Sequence, residues 1–259
     1  MPPFPLTEWR PEHLRLTAFP LPGSNLPSLN WWQQVTGTEP DARNEEPKKG
    51  AAEISGSLGE RKLVLSFQPE RIDWRLVPLD LDPDNLGEGL EFLNIGLFPD
   101  ARETFIGICQ RWFAQTDLPD FGRLAVGAVL NHPEVSRDAG YGRLPEYLPV
   151  QNKDNSSDFV YQLNVPAPSG TGIEGLRINR LSKWSVVVMR RLGFQLTIGG
   201  ATAAPLLQTA QPIHALRLEL DINTAAGFEG ALPKARLSDI LGELVNCASE
   251  VASNGVRTL

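Results

Sequence analysis

"KLVLSFQPERIDWRLVP", residues 62–78, decides the architecture. Leu63, Leu65 and Phe67 alternate with Lys62, Val64 and Ser66. After the turn "QPE", Ile72, Trp74 and Leu76 alternate with Asp73 and Arg75. A period of two is that of a strand, whose successive side chains point to opposite sides. The apolar set of each run lies on one side and the mostly polar set on the other. The pair therefore reads as part of an antiparallel meander with one face on the core and one in water. "AAEISGSL", residues 51–58, joins the second run through "GER" and supplies a third strand.

Towards the N-terminus, "HLRLTAF" places Leu14, Leu16 and Ala18 on one strand face. Ser28 is a plausible N-cap for a short helix in "LNWWQQV", with Trp31 and Val35 at i, i+4. Residues 37–50, "GTEPDARNEEPKKG", read as a charged, proline-containing mobile loop. Towards the C-terminus the period changes. Phe105, Cys109, Trp112 and Phe113 share a helical face between Pro99 and about Gln115. "RLAVGAVL" is nearly all apolar and reads as a central strand. Residues 134–148 read as a broken helix. Strands are expected at "DFVYQLNV", "IEGLRIN", "KWSVVVMR" and "HALRLELDI", and a turn-rich apolar segment at "LTIGGATAAPLLQTAQP". The chain closes on a helix whose stripe is Leu237, Leu241, Leu244, Val245 and Val251.

Runs of strands with helices set apart imply an α+β class with mostly antiparallel sheets. Two similar β-rich halves, 1–118 and 119–259, are expected, either separate or as one continuous domain. The 259 residues suffice for either, and 41% hydrophobic with 21% charged residues is ordinary globular composition. The frequent prolines and glycines fit short elements joined by turns.

Net charge is -7, which gives no overall attraction to nucleic acid or anionic lipid. Apolar runs such as Val186–Met189 fall far short of the ~20 residues that cross a bilayer. The start "MPPFPLTEWRPEH" lacks the basic, then apolar, pattern of a signal peptide. A cytoplasmic location is expected, with Cys109 and Cys247 as small buried apolar groups on helices. His13, His132 and His214 have no metal-ligand spacing, and no phosphate-binding loop or G-x-S-x-G elbow occurs. Asp80, Asp82 and Asp84 lack the glycine and glutamate of a calcium loop and read as an acidic turn. Glu219 and Asp221 share a strand face, as a solvated row or as partners for arginines. No catalytic residue, metal or cofactor is assigned.

Within this acidic chain, "GLRINRLSKWSVVVMRRL", residues 175–192, holds Arg177, Arg180, Lys183, Arg190 and Arg191 and no acid. Leu176 and Ile178 point to one side, with Arg177 and Asn179 to the other. A turn or bulge near Leu181 and Ser182 would bring Arg177, Arg180 and Lys183 together outward and turn Trp184, Val186 and Val188 to the core. The candidate binding set is Arg177, Asn179, Arg180, Lys183, Arg190 and Arg191. These cations either match internal acids such as Asp73, Glu219 and Asp221, or form a docking face for an anionic partner.

Several stretches resemble a sporadically distributed bacterial family of about 260 residues with no established activity. They are "LVLSFQPERIDWRLVP" with Trp74-Arg75, the helix "FPDARETFIGICQRWF", Gly175-Leu176-Arg177 with Asn179 and Arg180, and Leu218, Leu220 and Asp221 before the final helix. The usual tyrosine inside the "GLR-N" segment is absent here. The resemblance implies a fold shared along the chain and, through its patchy distribution, anti-phage defence loci. The leading expectation is a non-enzymatic recognition protein whose partner is a protein encoded nearby, with residues 37–50 as an adjustable rim. Nucleic-acid binding, or a metal-independent nuclease, is the alternative. An apolar or lipid ligand, or contact with a membrane surface, is a further one.

Overall fold

Ten antiparallel strands build one sheet in a computed structural model that describes residues 5–23, 30–79, 92–150, 157–189 and 212–256. The strands are β1 (Arg10–Pro20), β2 (Ala42–Glu46), β3 (Ala51–Leu58), β4 (Arg61–Gln68), β5 (Arg71–Pro78), β6 (Phe121–Glu134), β7 (Val160–Asn164), β8 (Ala167–Pro168), β9 (Arg177–Met189) and β10 (Ile213–Thr224). Their order is β2-β3-β4-β5-β1-β6-β10-β9-β7, with β8 on β9. The helices are α1 (Trp31–Thr36), α2 (Phe98–Phe113), α3 (Arg137–Tyr147) and α4 (Leu237–Asn254). Of the described residues 29% are helix and 42% strand, and with a large antiparallel sheet and separate helices the fold is of the α+β class.

Both parts of the chain run β-α-β-β-β-β-α, and each lays its strands outward from a central one. β1 and β6 pair at the centre, Leu14 opposite Ala128 and Leu16 opposite Val126, so the sheet passes from one part to the other without a break.

Alternation assigns the two faces. Leu16, Trp74, Leu65, Leu218 and Trp184 point to the side on which the helices lie, where all six tryptophans are buried. Trp32 stacks on Trp74 with centroids 6.3 Å apart, and Trp112 meets both Trp31 and Phe121. From the other end of the sheet, Trp184 packs on Tyr147 and Trp9. α4 buries Leu237, Leu241, Leu244, Val245 and Val251, the stripe read from the sequence. No helix among the described residues lies on the opposite face. None of the described helices is long and apolar enough to cross a membrane.

Two expectations are overturned. Residues 42–46 of the expected loop form the edge strand β2, paired with β3 from Ala42–Ser55 to Glu46–Ala51. All five of its side chains are exposed, so no apolar alternation betrays it. Backbone hydrogen bonds alone make it a strand, and its charges suit an unpaired edge. The second correction concerns Leu181 and Ser182. They form neither turn nor bulge, because the 13-residue β9 runs unbroken and pairs with β10 from Ile178 to Met189 without a register shift. Ser28, the acidic run at Asp80, Asp82 and Asp84, and the segment "LTIGGATAAPLLQTAQ" lie outside the described residues.

Candidate binding face

The sheet's open face is organised in rows that cross the strands. One row runs Val64, Arg75, Arg15, Gly127, Asp221 and Leu181, each paired with the next. The neighbouring row runs Glu53, Ser66, Asp73, Thr17, Ala125, Asn223 and Asn179. Side chains of both rows stand on the open side, since the core positions alternate with them.

Most of this charge is matched locally. Asp73, only 6% exposed, takes two hydrogen bonds from Arg71, Nε at 2.6 Å and Nη2 at 3.0 Å. Thr17 Oγ1 donates to the same carboxylate. A buried carboxylate needs such partners to remain charged. Arg75 donates to Glu53 at 2.8 Å, and Ser66 supports that carboxylate at 3.0 Å. On the far side, Glu219 receives Lys183 from β9 and Arg217 from its own strand, both at 3.3 Å. Arg217 also reaches Glu12 at 2.6 Å. Arg71-Ile72-Asp73 on β5 and Arg217-Leu218-Glu219 on β10 are thus the same device, a basic and an acidic residue two apart on one strand face, at corresponding places beside the central pair.

Burial works to raise the pKa of Glu12, but the hydrogen bond and charge of Arg217 outweigh it and hold the carboxyl below its ordinary value. Burial pushes His13 down, and Arg15, Arg217 and Arg75 act in the same direction against Glu12. Burial also raises the thiol of Cys109 and, despite nearby Arg180, that of Cys247. Both cysteines are free and buried, which makes them packing groups.

The candidate residues of the basic stretch do not form one cluster. Arg177 is exposed on the open face, where the one side-chain hydrogen bond it makes among the described residues is to the Pro166 carbonyl at 3.4 Å. Asn179 is on that face too and donates its amide to Asn223 at 3.0 Å, which in turn donates to Asp221 at 3.0 Å. Lys183 stands directly opposite Glu219. Arg180, an odd step away from all three, points to the helix-covered side. It lies 3.9 Å from Glu250 of α4, with its Nε buried and without a hydrogen-bond partner among the described residues. Trp184 is buried as expected, whereas Val188 is 39% exposed. Arg190 and Arg191 lie outside the described residues.

Sequence reasoning passed over the arginines of the first half. Arg15, Arg71 and Arg75 meet in a concavity of about 440 Å³ that also takes in Glu53, Ser66 and Asp73. Their signal was present: each occupies a polar slot of an alternating strand, but only strand order reveals that β1 lies beside β5. The described residues contain no group of three His, Cys, Asp or Glu side chains placed to hold a metal. His132 is instead gripped by carboxylates, Glu8 at 2.9 Å from Nε2 and Glu134 at 3.0 Å from Nδ1. Set against protein-family models, curated proteins and solved structures, the chain returns no match.

Proposed function

We propose that the protein is a recognition protein that docks an acidic protein partner on the open face of its sheet. The observation that supports this most directly is the charge of that face. In a chain of net charge -7, lysines and arginines outnumber carboxylates there, and Arg15 and Arg177 have no ion pair among the described residues. Such separation of charge steers encounter with an acidic surface and fixes its orientation. The extended strands present these cations at fixed spacing, so a partner meets a largely preformed surface and little ordering entropy is lost on binding. The resemblance noted in the sequence suggests that the partner is encoded nearby, within a bacterial defence locus.

The experiment is to mix the purified protein with the products of adjacent genes and measure complex formation at low and moderate salt. A complex weakened by Arg177→Glu and by added salt supports the reading. Absence of a complex with every neighbour overturns it, as does a complex insensitive to charge reversal on this face. Tight, steeply salt-dependent binding of oligonucleotides in the same assay transfers the face to nucleic acid.

A further inference from the structure

The geometry points to a small-anion site at the centre of the sheet, in which Arg15 grips the carboxylate or phosphate group of a small ligand. Three observations converge on it. The first is local charge. Arg15 and Arg75 are directly opposite one another on neighbouring strands. Like charges so placed repel at close range. Arg75 is relieved by Glu53 and Arg71 by Asp73, yet Arg15 has neither an ion pair nor a hydrogen bond among the described residues. One positive charge is therefore left over in the concavity. Glu46, on its rim, is already joined to Lys49.

The second observation is that Arg15 is held in place without a partner. Its Nε is buried and unsatisfied, a condition that costs free energy unless something accepts the proton. The guanidinium rests against the backbone of β6 at Gly127. A Cβ there would stand 3.1 Å from Nη2 and 3.3 Å from Nε. Glycine is what lets the planar group lie flat. On the other side of Gly127 is Asp221, whose carboxylate is taken by the Asn223 amide and does not pair with Arg15.

The third is room. About 440 Å³ bounded by β1 to β5 is within the range of small-ligand pockets. Ser66 and Asn44 border it with neutral polar groups. A planar guanidinium with no side-chain partner among the described residues, beside a second arginine and lining this space, fits an oxyanion bound through two parallel hydrogen bonds. The site stands apart from the protein-partner reading, since a free small molecule reaches it without one.

The test follows the side-chain Nε–H resonance of Arg15 by NMR while the intact protein is titrated with inorganic phosphate or with succinate. A saturable shift with either probe supports the site, and the stronger of the two assigns phosphate or carboxylate. Arg15→Gln removes the charge and the paired donors of the fork and is expected to weaken binding at least about tenfold. Gly127→Ala keeps the charge but displaces the guanidinium, and is expected to weaken binding as well; it serves alone if Arg15→Gln does not fold. No shift with either anion overturns the proposal, as does unchanged affinity in a folded variant. Loss of this site leaves complex formation through Arg177 to be judged separately.

Discussion

The indole N–H of Trp9 donates to the carbonyl of Ala252 across 243 residues of sequence, at 3.0 Å. Ala252 lies in the last turn of α4, where carbonyls have no acceptor role left within the helix. The first strand's approach thus caps the last helix. Trp9 is fully buried and also meets Tyr147 and Trp184 edge-on. Trp9→Phe keeps an aromatic ring but removes the donor and leaves a cavity. A loss of about 2 kcal/mol is expected, half from the hydrogen bond and half from volume. A lower urea midpoint with unchanged slope would show it.

Just beyond that cap, Gly255 turns the chain with φ of 66° and ψ of -152°, a region in which only glycine is at ease. A Cβ there would overlap the Tyr147 carbonyl oxygen at 2.1 Å. Backbone, not a pliant side chain, is in the way, and the next residue, Val256, donates to that same carbonyl at 3.0 Å. Gly255→Ala must break the junction of α3 and α4. It is expected to cost about 3 kcal/mol or more, whereas Gly127→Ala, with an ordinary strand backbone and a side chain as its neighbour, costs far less. Thermal unfolding of the two variants side by side checks the contrast.

The meander at 51–78, the strand at 13–19, the central strand after residue 120 and both long helices were legible because each buries one face, and burial writes a period into the sequence. Ala42–Glu46 wrote none, because a strand exposed on both sides is held by its backbone alone. The basic stretch misled for a related reason. Ser182 and Arg180 occupy core-side slots of β9, and two polar residues there look like a turn. The pairing of Arg15 with Arg75 was out of reach of periodicity. It depends on β1 leaving its sequence neighbours and lying between β5 and β6, a choice made by the whole sheet.

His13 gives the fold a pH dependence. Burial, with Arg15, Arg217 and Arg75 nearby, lowers its pKa below the ordinary 6.5, against the pull of Glu12. The unfolded chain therefore binds the proton first as pH falls. Stability declines as pH drops through about 6.5, and the decline ends once the folded histidine is protonated too. His13→Gln should flatten this segment of the curve of unfolding free energy against pH. The paired carboxylate Glu12, whose pKa is also lowered, loses its contribution only below its ordinary 4.5, so the decline due to His13 begins at the higher pH. An unchanged slope near neutrality in His13→Gln would dismiss the assignment.

Arg177 and Arg180 are three residues apart yet stand on opposite faces of the sheet, and this predicts opposite phenotypes. Arg177 is exposed and, among the described residues, its side chain hydrogen-bonds only a carbonyl, so Arg177→Glu should leave the unfolding temperature where it is, within the ±0.5 kcal/mol usual for surface changes. Arg180 lies beneath α4 with its side chain 22% exposed, beside Cys247 and within 3.9 Å of Glu250. Arg180→Glu places a second carboxylate against Glu250 in a half-buried site, and should cost about 1–3 kcal/mol. Partner binding, if it uses the open face, should respond in the reverse sense, falling with Arg177→Glu and holding with Arg180→Gln under conditions where that variant is folded. Differential scanning calorimetry on both variants, followed by the complex-formation assay, reads the two effects independently. Equal destabilisation by the two reversals would mean that the strand does not divide its charges between a packed side and a free one.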